Sequence, residues 1–186
     1  MTTKTKTKRK ILIIGHAKHG KTTVAEALTK LGYTYKDSSE VAAEAILPFF
    51  TERYGFQTAA EMLAYKEEYT GTALGDTIRR DMYEQIRSVN LLDNFLRIPD
   101  MVYSQADIYV GLRDAAEFMA LMSKYSPFVL QVDACQRLTS RESIFSNPLI
   151  HLVEQHYIAD WFPKNWVLVD NNSPEFTLPD YLTSLL

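Results

Sequence analysis

Cysteine is almost missing from this sequence, because Cys135 is the only one among 186 residues. A single cysteine cannot form an internal disulfide, and the N-terminus lacks the charged and then apolar leader of a secreted protein. Cys135 also has no histidine near it in the sequence, which favours a small buried residue over a nucleophile. These absences predict a cytoplasmic protein.

Long apolar runs and an excess of positive charge are missing too. Even the stretch from Ala42 to Phe50 is short and is interrupted by Glu44 and Pro48, so we expect no membrane-spanning segment. The 20 lysines and arginines are outnumbered by 23 acidic residues, which leaves a net charge of −3. The overall charge therefore does not favour a nucleic acid as a partner.

Positive charge is instead concentrated before the first apolar run. In residues 1–10, threonines alternate with basic residues, which are Lys4, Lys6, Lys8, Arg9 and Lys10. We interpret this segment as a flexible basic tail, with contact to a nucleic acid or a membrane surface as the alternative. The whole chain is 46% hydrophobic, so residues 11–186 can build a single domain with one substantial core.

One glycine-containing motif lies between an apolar run and a helix-like stretch. Residues 15–22 match the pattern G-x-x-x-x-G-K-T, directly after Ile11–Ile14 and directly before Thr23–Leu28. A strand, a loop and a helix in this order are the setting of a phosphate-binding P-loop, whose backbone N–H groups face nucleotide phosphates. The residues predicted to bind the nucleotide there are Gly15, His16, Ala17, Lys18, His19, Gly20, Lys21, Thr22 and Thr23.

The two residues that end the motif carry the chemistry of the predicted site. Lys21 supplies a mobile positive charge for the β and γ phosphate oxygens and is therefore a candidate catalytic residue. Thr22 offers a hydroxyl group to Mg²⁺, which prefers oxygen ligands. ATP with Mg²⁺ is the expected cofactor. His16 and His19 have no second cluster at metal-ligand spacing, so no other metal site is predicted.

Short apolar runs alternate with helix-like segments along the chain. This alternation predicts an α/β fold with a parallel sheet that is covered by helices on both faces. Five strands are expected, at Ile11–Gly15, Tyr33–Lys36, Asp107–Gly111, Phe128–Asp133 and Trp166–Asp170.

A long charged region between the second and third predicted strands is helix-like. It predicts the helices Ser38–Phe50, Thr58–Tyr69 and Leu74–Leu96, and further helices are expected at Asp114–Ser123 and within Asn147–Trp161. Residues 38–105 are thus predicted to form an insertion that serves as a lid or as a substrate-binding unit.

Ligands of open parallel sheets bind beyond the carboxyl ends of the strands, so the residues there are candidates for the site. Asp37 and Ser38 follow the second strand. Asp37 could orient a substrate hydroxyl or hold a water of Mg²⁺, or it could simply cap the next helix. Arg113 follows the third strand and is a candidate for clamping a phosphate, with an ion pair to Asp114 or Glu117 as the alternative.

Other arginines are candidates for the same task. Arg137 and Arg141 are four residues apart after the fourth strand and would share one face of a helix. There they would neutralise a transferring phosphoryl group, or pair with Glu142 as a solvated face. Arg79 and Arg80 lie on the long inserted helix, where ion pairs account for most of the charges and one arginine could reach the acceptor. The tyrosines of this region favour core packing over stacking on a base.

Four segments together resemble the bacteriophage deoxynucleoside monophosphate kinase family: Gly15–Glu26, Tyr35–Glu40, Asp107–Glu117 and Val132–Ala134. The resemblance extends over most of the chain, from the first strand to the last. It implies a P-loop NTPase fold like that of nucleoside monophosphate kinases, and transfer of the ATP γ-phosphoryl group to a (deoxy)nucleoside monophosphate. It also implies a viral protein that acts in the cytoplasm of the infected cell.

The resemblance further implies roles for individual residues. Lys21 and Thr22 would hold ATP with Mg²⁺, and Arg113 would grip the acceptor phosphate. Arg137 and Arg141 would close over the site from a lid-like segment.

Several alternatives remain open. Asn171, after the last strand, would lie in a loop against the adenine, or it forms an ordinary Asx turn. Residues 66–80 match no base-binding motif, so the base and the sugar of the acceptor are not predicted. Competing functions are a phage kinase that acts on a modified base, such as a hydroxymethyl pyrimidine, or on a polynucleotide, and a non-catalytic ATP-binding module. A homodimer is also left open.

Overall fold

Four parallel strands form the sheet in the part of the chain that the structure describes. The computed structural model describes residues 8–138, 147–155, 165–173 and 175–186. The order in the sheet is β2-β1-β3-β4, and every pairing is parallel, so the carboxyl ends of the strands meet at one edge. The strands are β1 (Ile11–Ile14), β2 (Ile108–Val110), β3 (Phe128–Asp133) and β4 (Trp166–Asp170).

The prediction of five strands is wrong, because Tyr33–Lys36 forms no strand. Only Tyr35 makes an isolated parallel bridge, to Ile108. The reason is a side-chain clamp: the backbone N–H and the hydroxyl group of Thr34 both donate to the carboxylate of Asp107, at 2.9 and 2.8 Å. The Thr34 carbonyl accepts the backbone N–H of Asp107 at 2.9 Å. These contacts occupy backbone N–H and carbonyl groups of Thr34 that a longer strand pairing would need.

Helices separate and follow the strands, and they cover both faces of the sheet. The predicted α/β fold with a parallel sheet flanked by helices is confirmed. None of the described helices is both long enough and apolar enough to cross a membrane. The helices are α1 (Lys21–Thr29), α2 (Ser38–Tyr54), α3 (Ala59–Glu68), α4 (Ala73–Leu92), α5 (Arg97–Gln105), α6 (Ala115–Tyr125), α7 (Pro148–Gln155) and α8 (Asp180–Leu185).

The predicted helix Leu74–Leu96 is too long, because α4 ends before a tight turn. Asn94 and Phe95 adopt left-handed backbone conformations, with φ angles of 52° and 65°. Asn90 closes the turn: its carbonyl accepts the N–H of Phe95 at 2.6 Å, and its side chain accepts the N–H of Ile98 at 2.8 Å. The chain then continues as the separate helix α5.

The sheet separates two apolar cores. Leu12 and Ile14 of β1 face a core that α2, α5 and α6 complete, whereas Ile11 and Ile13 face a core that α1 and α8 complete. Both faces of β1 are buried, as expected for a central parallel strand.

A third core lies inside the helical insertion. It joins α2, α3 and α4 through seven buried side chains, which are Ala43, Ile46, Phe50, Phe56, Met62, Ile78 and Met82. Helix α2 also contributes Val41 and Ala42 to the sheet core. The same helix therefore packs into the sheet layer and into the insertion.

The described basic residues of the N-terminus contact the amino-terminal edge of the sheet. Lys10 donates to the carbonyls of Tyr103 and Ala106 at 2.8 and 2.9 Å. The guanidinium of Arg9 lies 4.9 Å from the ring centre of Phe128, the first residue of β3. Residues 1–7 of the predicted tail lie outside the described residues. Lys8, Arg9 and Lys10 are thus at the edge opposite to the carboxyl ends of the strands.

Candidate functional site

The Gly15–Gly20 loop joins β1 to α1 at the carboxyl edge of the sheet. Gly20 has a left-handed backbone with φ of 85°, and a Cβ atom added to it would lie 2.1 Å from Nδ2 of Asn171. Glycine is required here because any other side chain would displace its neighbour. Asn171, buried after β4, also donates from Nδ2 to the carbonyl of His19 at 2.6 Å. The loop is thereby held by the last strand.

The histidines of the loop point into the protein. His16 and His19 are 5% and 1% exposed. Nδ1 of His16 accepts the N–H of Asn147, and Nδ1 of His19 accepts the N–H of Ala134, both at 3.1 Å. Burial lowers the pKa of both rings, that of His16 to about 4. Both rings are neutral at pH 7, so they support the loop from below without adding charge to it.

Asn147 is a support of the loop that sequence reasoning missed. Its buried Nδ2 donates to the carbonyls of Gly15 at 3.4 Å and Leu112 at 2.9 Å, and thus joins the loop to the segment after β2. Its Oδ1 accepts the N–H of Leu149 at 3.0 Å and caps the start of α7. Because most of these partners are remote in sequence, no local pattern could have identified the residue.

Replacing Asn147 by alanine is expected to lower the free energy of unfolding by about 1–3 kcal/mol, because several buried backbone groups lose their partner. Chemical denaturation of both proteins measures the difference. Asn147→Asp retains the acceptor for Leu149 but loses the donor, so it should be at least as unstable as the alanine variant. A wild-type denaturation midpoint for both variants would contradict this role.

Helix α1 begins at the loop without a side-chain cap. Its N-cap residue is Gly20, and the first turn, which contains Thr22 and Thr23, holds no acidic residue. By contrast, the side chains of Asp37 and Asp114 cap α2 and α6. The uncapped N–H groups and the helix dipole at the start of α1 favour a bound anion.

Lys21 and Arg113 bring two positive charges together beside this helix end. Nζ of Lys21 donates to the carbonyl of His16 at 2.6 Å. Burial and the nearby Arg113 lower the pKa of Lys21 to about 8. Within the described part of the chain, neither side chain has a carboxylate at ion-pair distance. The alternative ion pair of Arg113 is not formed, because Asp114 caps α6 and Glu117 accepts the hydroxyl of Tyr109.

A cleft of about 550 Å³ opens next to these two cations. It lies between the carboxyl edge of the sheet and the helical insertion, and α2, α4 and α5 contribute to its walls. Its volume is that of a site for a small molecule. The cleft brings together six residues that the sequence predicted for the site, which are Lys21, Thr22, Asp37, Ser38, Arg79 and Arg113.

Asp37 and Ser38 line the cleft but also serve the fold. The carboxylate of Asp37 accepts the N–H of Ser39 at 2.7 Å, which makes it the N-cap of α2. The hydroxyl group of Ser38 donates to the carbonyl of Val110, at the end of β2. Asp37 therefore caps the helix, which was the alternative role, and it also lies on the wall of the cleft.

The two neighbouring arginines of α4 point in different directions. Arg79 lines the cleft, and its Nη2 donates to the hydroxyl group of Thr70. Arg80 is not part of the cleft wall, its side chain is 66% exposed, and its Nε lies 4.0 Å from the carboxylate of Asp81. Of the two candidates for acceptor binding, only Arg79 is placed to contact a molecule in the cleft.

Arg137 lies on the other side of the loop from the cleft residues. It belongs to a turn and not to a helix. Its Nε donates to the carbonyl of Asn171 at 2.7 Å, and its Nη2 donates to the carbonyl of Lys18 at 3.2 Å. Arg137 thus adds positive charge to the rim of the loop. Arg141 lies outside the described residues.

No protein-family model and no curated protein matches this chain. The chemistry of the site therefore carries the functional argument. An uncapped helix end, two cations without carboxylate partners and an adjoining cleft together suit a ligand with several negative charges.

A cluster with metal-ligand side chains lies behind the loop. Ligand atoms of His19, Asp133 and Cys135 are all within 4.8 Å of one another. The Asp133 carboxylate accepts the N–H of Cys135 at 3.2 Å, and Nδ1 of His19 accepts the N–H of Ala134, so hydrogen bonds of the turn explain the cluster. The expectation that Cys135 is buried is wrong, because it lies exposed in this turn.

Proposed function

We propose that the chain is an ATP-dependent kinase that phosphorylates a (deoxy)nucleoside monophosphate to the diphosphate. The observation that carries this proposal is the position of Lys21 and Arg113, two neighbouring cations on the wall shared by the loop and the cleft. A loop that suits the phosphates of one nucleotide adjoins a cleft large enough for a second. Phosphoryl transfer needs two anionic substrates held close together with their charge neutralised.

The residues of the loop fit ATP with Mg²⁺. The uncapped N–H groups of α1 and the Lys21 ammonium would bind the phosphates, and the exposed hydroxyl of Thr22 would be a ligand of the metal. Mg²⁺ withdraws charge from the phosphate oxygens when it is bound. Gly15 keeps the start of the loop close to β3, because a Cβ atom there would lie 2.7 Å from the carbonyl of Val132.

The transfer itself needs little from the protein beyond position and charge. An oxygen of the acceptor phosphate attacks the γ-phosphorus, the bond from that phosphorus to the bridging β-γ oxygen breaks, and ADP leaves with the electron pair. The acceptor phosphate is already ionised near pH 7, so no general base is required. Arg113 would hold the acceptor phosphate, and Lys21 would stabilise charge on the transferring group.

The position of the N-terminal basic residues argues against a polynucleotide acceptor. That alternative needs the basic tail to extend the positive surface around the cleft. Lys8, Arg9 and Lys10 instead contact the opposite edge of the sheet. A non-catalytic ATP-binding module, in turn, gives no reason for Arg113 to stand beside Lys21 on the wall of a second cleft.

A coupled assay of ADP release tests the proposal. ATP with Mg²⁺ is offered with each common deoxynucleoside and ribonucleoside monophosphate in turn, and a reaction without acceptor is the control. ADP release that depends on a monophosphate supports the kinase. Binding of ATP with no release for any monophosphate overturns it in favour of another acceptor or a binding module.

Binding of ATP with Mg²⁺ is expected to weaken as the pH rises above about 8, the pKa to which burial and Arg113 lower Lys21. Bound phosphates favour the ammonium form and so raise this pKa again. At a pH of about 9 the free lysine has lost a proton that the complex holds, so binding takes up a proton. Calorimetric titrations in buffers with different ionisation enthalpies measure the uptake, and Lys21→Met should abolish it. Equal proton uptake in the two proteins would contradict the assignment to Lys21.

A further inference from the structure

Glu117 is a buried carboxyl group in the wall of the cleft. It lies in the first turn of α6 and is 7% exposed. Its Oε1 accepts the hydroxyl hydrogen of Tyr109 at 2.5 Å. Among the described residues, no donor is in hydrogen-bond contact with Oε2 and no cation pairs with the carboxylate. One acceptor oxygen of a cleft residue therefore has no partner within the described chain.

Helix α6 does not use Glu117 for its own start. The sequence Asp114-x-x-Glu117 has the spacing of a capping box, in which the glutamate reaches back to the N–H of the cap residue. Here Oδ1 of Asp114 accepts the N–H groups of Ala116 and Glu117, at 2.8 and 3.1 Å, whereas the Glu117 carboxylate turns to Tyr109 of β2. Among the described residues, Nε2 of His19 is the one fully buried side-chain nitrogen or oxygen atom without a hydrogen-bond partner, so Oε2 of Glu117 is open to the cleft. A carboxylate oxygen that faces a cleft without a cation can accept a hydrogen bond from a ligand there.

The surroundings of Glu117 suit a flat heterocycle. Apolar side chains from α2, α4, α5 and the segment after β2 line the same cleft. Tyr83 of α4 is half exposed there, so its ring can pack on a ligand. Apolar walls with a few polar groups among them are typical of a site that orients a base by its hydrogen-bonding edge. The apolar residues include Ala42, Met82, Ile86, Ile98 and Leu112.

We infer that Glu117 selects the acceptor base by accepting a hydrogen bond from an exocyclic amino group. This inference rests on the proposed kinase function and names its substrate class: nucleotides of adenine, cytosine or guanine. A base with a carbonyl oxygen in place of the amino group would put that oxygen, an acceptor, next to the carboxylate oxygen of Glu117, which is also an acceptor. The rejected substrates are thus the monophosphates of uracil and thymine.

The preference depends on ionisation of Glu117. Burial raises the pKa of this carboxyl group to about 7. The protonated form can donate a hydrogen bond to a carbonyl oxygen, so the preference for amino bases is complete above this pKa and declines below it. The groups that act on Glu117 are Tyr109 from β2 and Asp114 from its own helix. The other charged or titratable residues on the cleft wall are Lys21, Asp37, Lys66, Glu67, Arg79, Tyr83, Arg87 and Arg113.

Two substrate pairs test the inference: dCMP with dUMP, and dAMP with dIMP. The members of each pair differ in the exocyclic group, which is amino or carbonyl, and in the adjacent ring nitrogen, which carries a hydrogen only in the carbonyl member. Affinity is measured by calorimetry and kcat/KM by ADP release, for wild type and Glu117→Gln. For each accepted pair, we expect the wild type to have a kcat/KM at least about tenfold higher for the amino member than for the carbonyl member. In Glu117→Gln this ratio should be close to one. Lowering the pH through the pKa of Glu117 should reduce the wild-type ratio and leave the variant ratio unchanged.

Two further variants separate recognition from a structural role. Tyr109→Phe removes the hydrogen bond to Oε1 but leaves the carboxylate, so it should retain the amino preference when assayed above the pKa of Glu117. Glu52→Gln, an exposed glutamate of α2 outside the cleft, should behave as wild type. Loss of the preference in Tyr109→Phe would assign the effect to the Tyr109 contact and overturn the inference.

The remaining outcomes are distinct for the two proposals. If the enzyme turns over and Glu117→Gln leaves the ratio of amino to carbonyl substrates unchanged, the role of Glu117 is overturned and the kinase is not. Selective binding of amino nucleotides without any turnover overturns the kinase and leaves recognition by Glu117 in place. No binding of any monophosphate, with ATP still bound, overturns both.

Discussion

Replacing Lys21 by alanine is expected to lower kcat for monophosphate phosphorylation by about 10³-fold or more. Lys21 is the cation that begins α1 beside the loop, and no described carboxylate neutralises it. In the proposed kinase its charge would oppose the charge that develops on the transferring phosphoryl group, and α1 contains no other lysine. Steady-state ADP release with saturating ATP and acceptor measures the loss.

The stability of the Lys21→Ala protein separates a catalytic effect from a folding defect. Burial of the ammonium group lowers its pKa, which means that the fold disfavours this charge. Its removal should therefore leave the unfolding temperature unchanged or raise it. Lys30→Ala, at the exposed end of the same helix, is the matched control and should retain wild-type turnover. Full activity of Lys21→Ala would refute the assignment of the loop as the ATP site.

Replacing Arg113 by alanine is expected to lower kcat/KM for the acceptor by about 10²–10³-fold, with little change in the affinity for ATP. Arg113 is exposed on the cleft wall and makes no ion pair with Asp114 or Glu117, whose carboxylates have other partners. The guanidinium is therefore available to a phosphate in the cleft. Initial rates at varied acceptor concentration, together with ATP titrations, separate the two effects.

Two substitutions define what Arg113 contributes. Arg113→Lys keeps the charge but loses the planar pair of donors, so it should recover only part of the activity. Arg97→Ala removes an exposed arginine of α5 that pairs with Asp93, away from the cleft, and should have wild-type kinetics. An Arg113→Ala protein with unchanged kcat/KM would place the acceptor phosphate elsewhere.

Features that depend on neighbouring residues were predictable from the sequence. The apolar run, the two glycines and the following helix are contiguous, so β1, the loop and α1 were predicted in order. Residues that follow a parallel strand lie at the carboxyl edge of the sheet, and this rule placed Arg113 near Lys21 in the cleft. Asp37 lies on the cleft wall as well, although the segment before it makes only the single bridge of Tyr35.

Features that depend on remote contacts were not predictable. The missing fifth strand results from the pairing of Thr34 with Asp107, and the support of the loop results from Asn147. The pattern Asp114-x-x-Glu117 predicts a capping box, but the fold turns Glu117 toward Tyr109. In each case the deciding contact is one that only the tertiary structure creates.

Helix α2 fixes the position of the helical insertion relative to the sheet. Its residues Val41 and Ala42 are embedded in the sheet core, and Ala43, Ile46 and Phe50 in the core of the insertion. Rotation of the insertion about this helix would open one core or the other, and close packing resists such gaps. The distance across the cleft is thus set when the chain folds. For the proposed kinase, the entropic cost of aligning two nucleotides would fall largely on folding and less on each catalytic encounter.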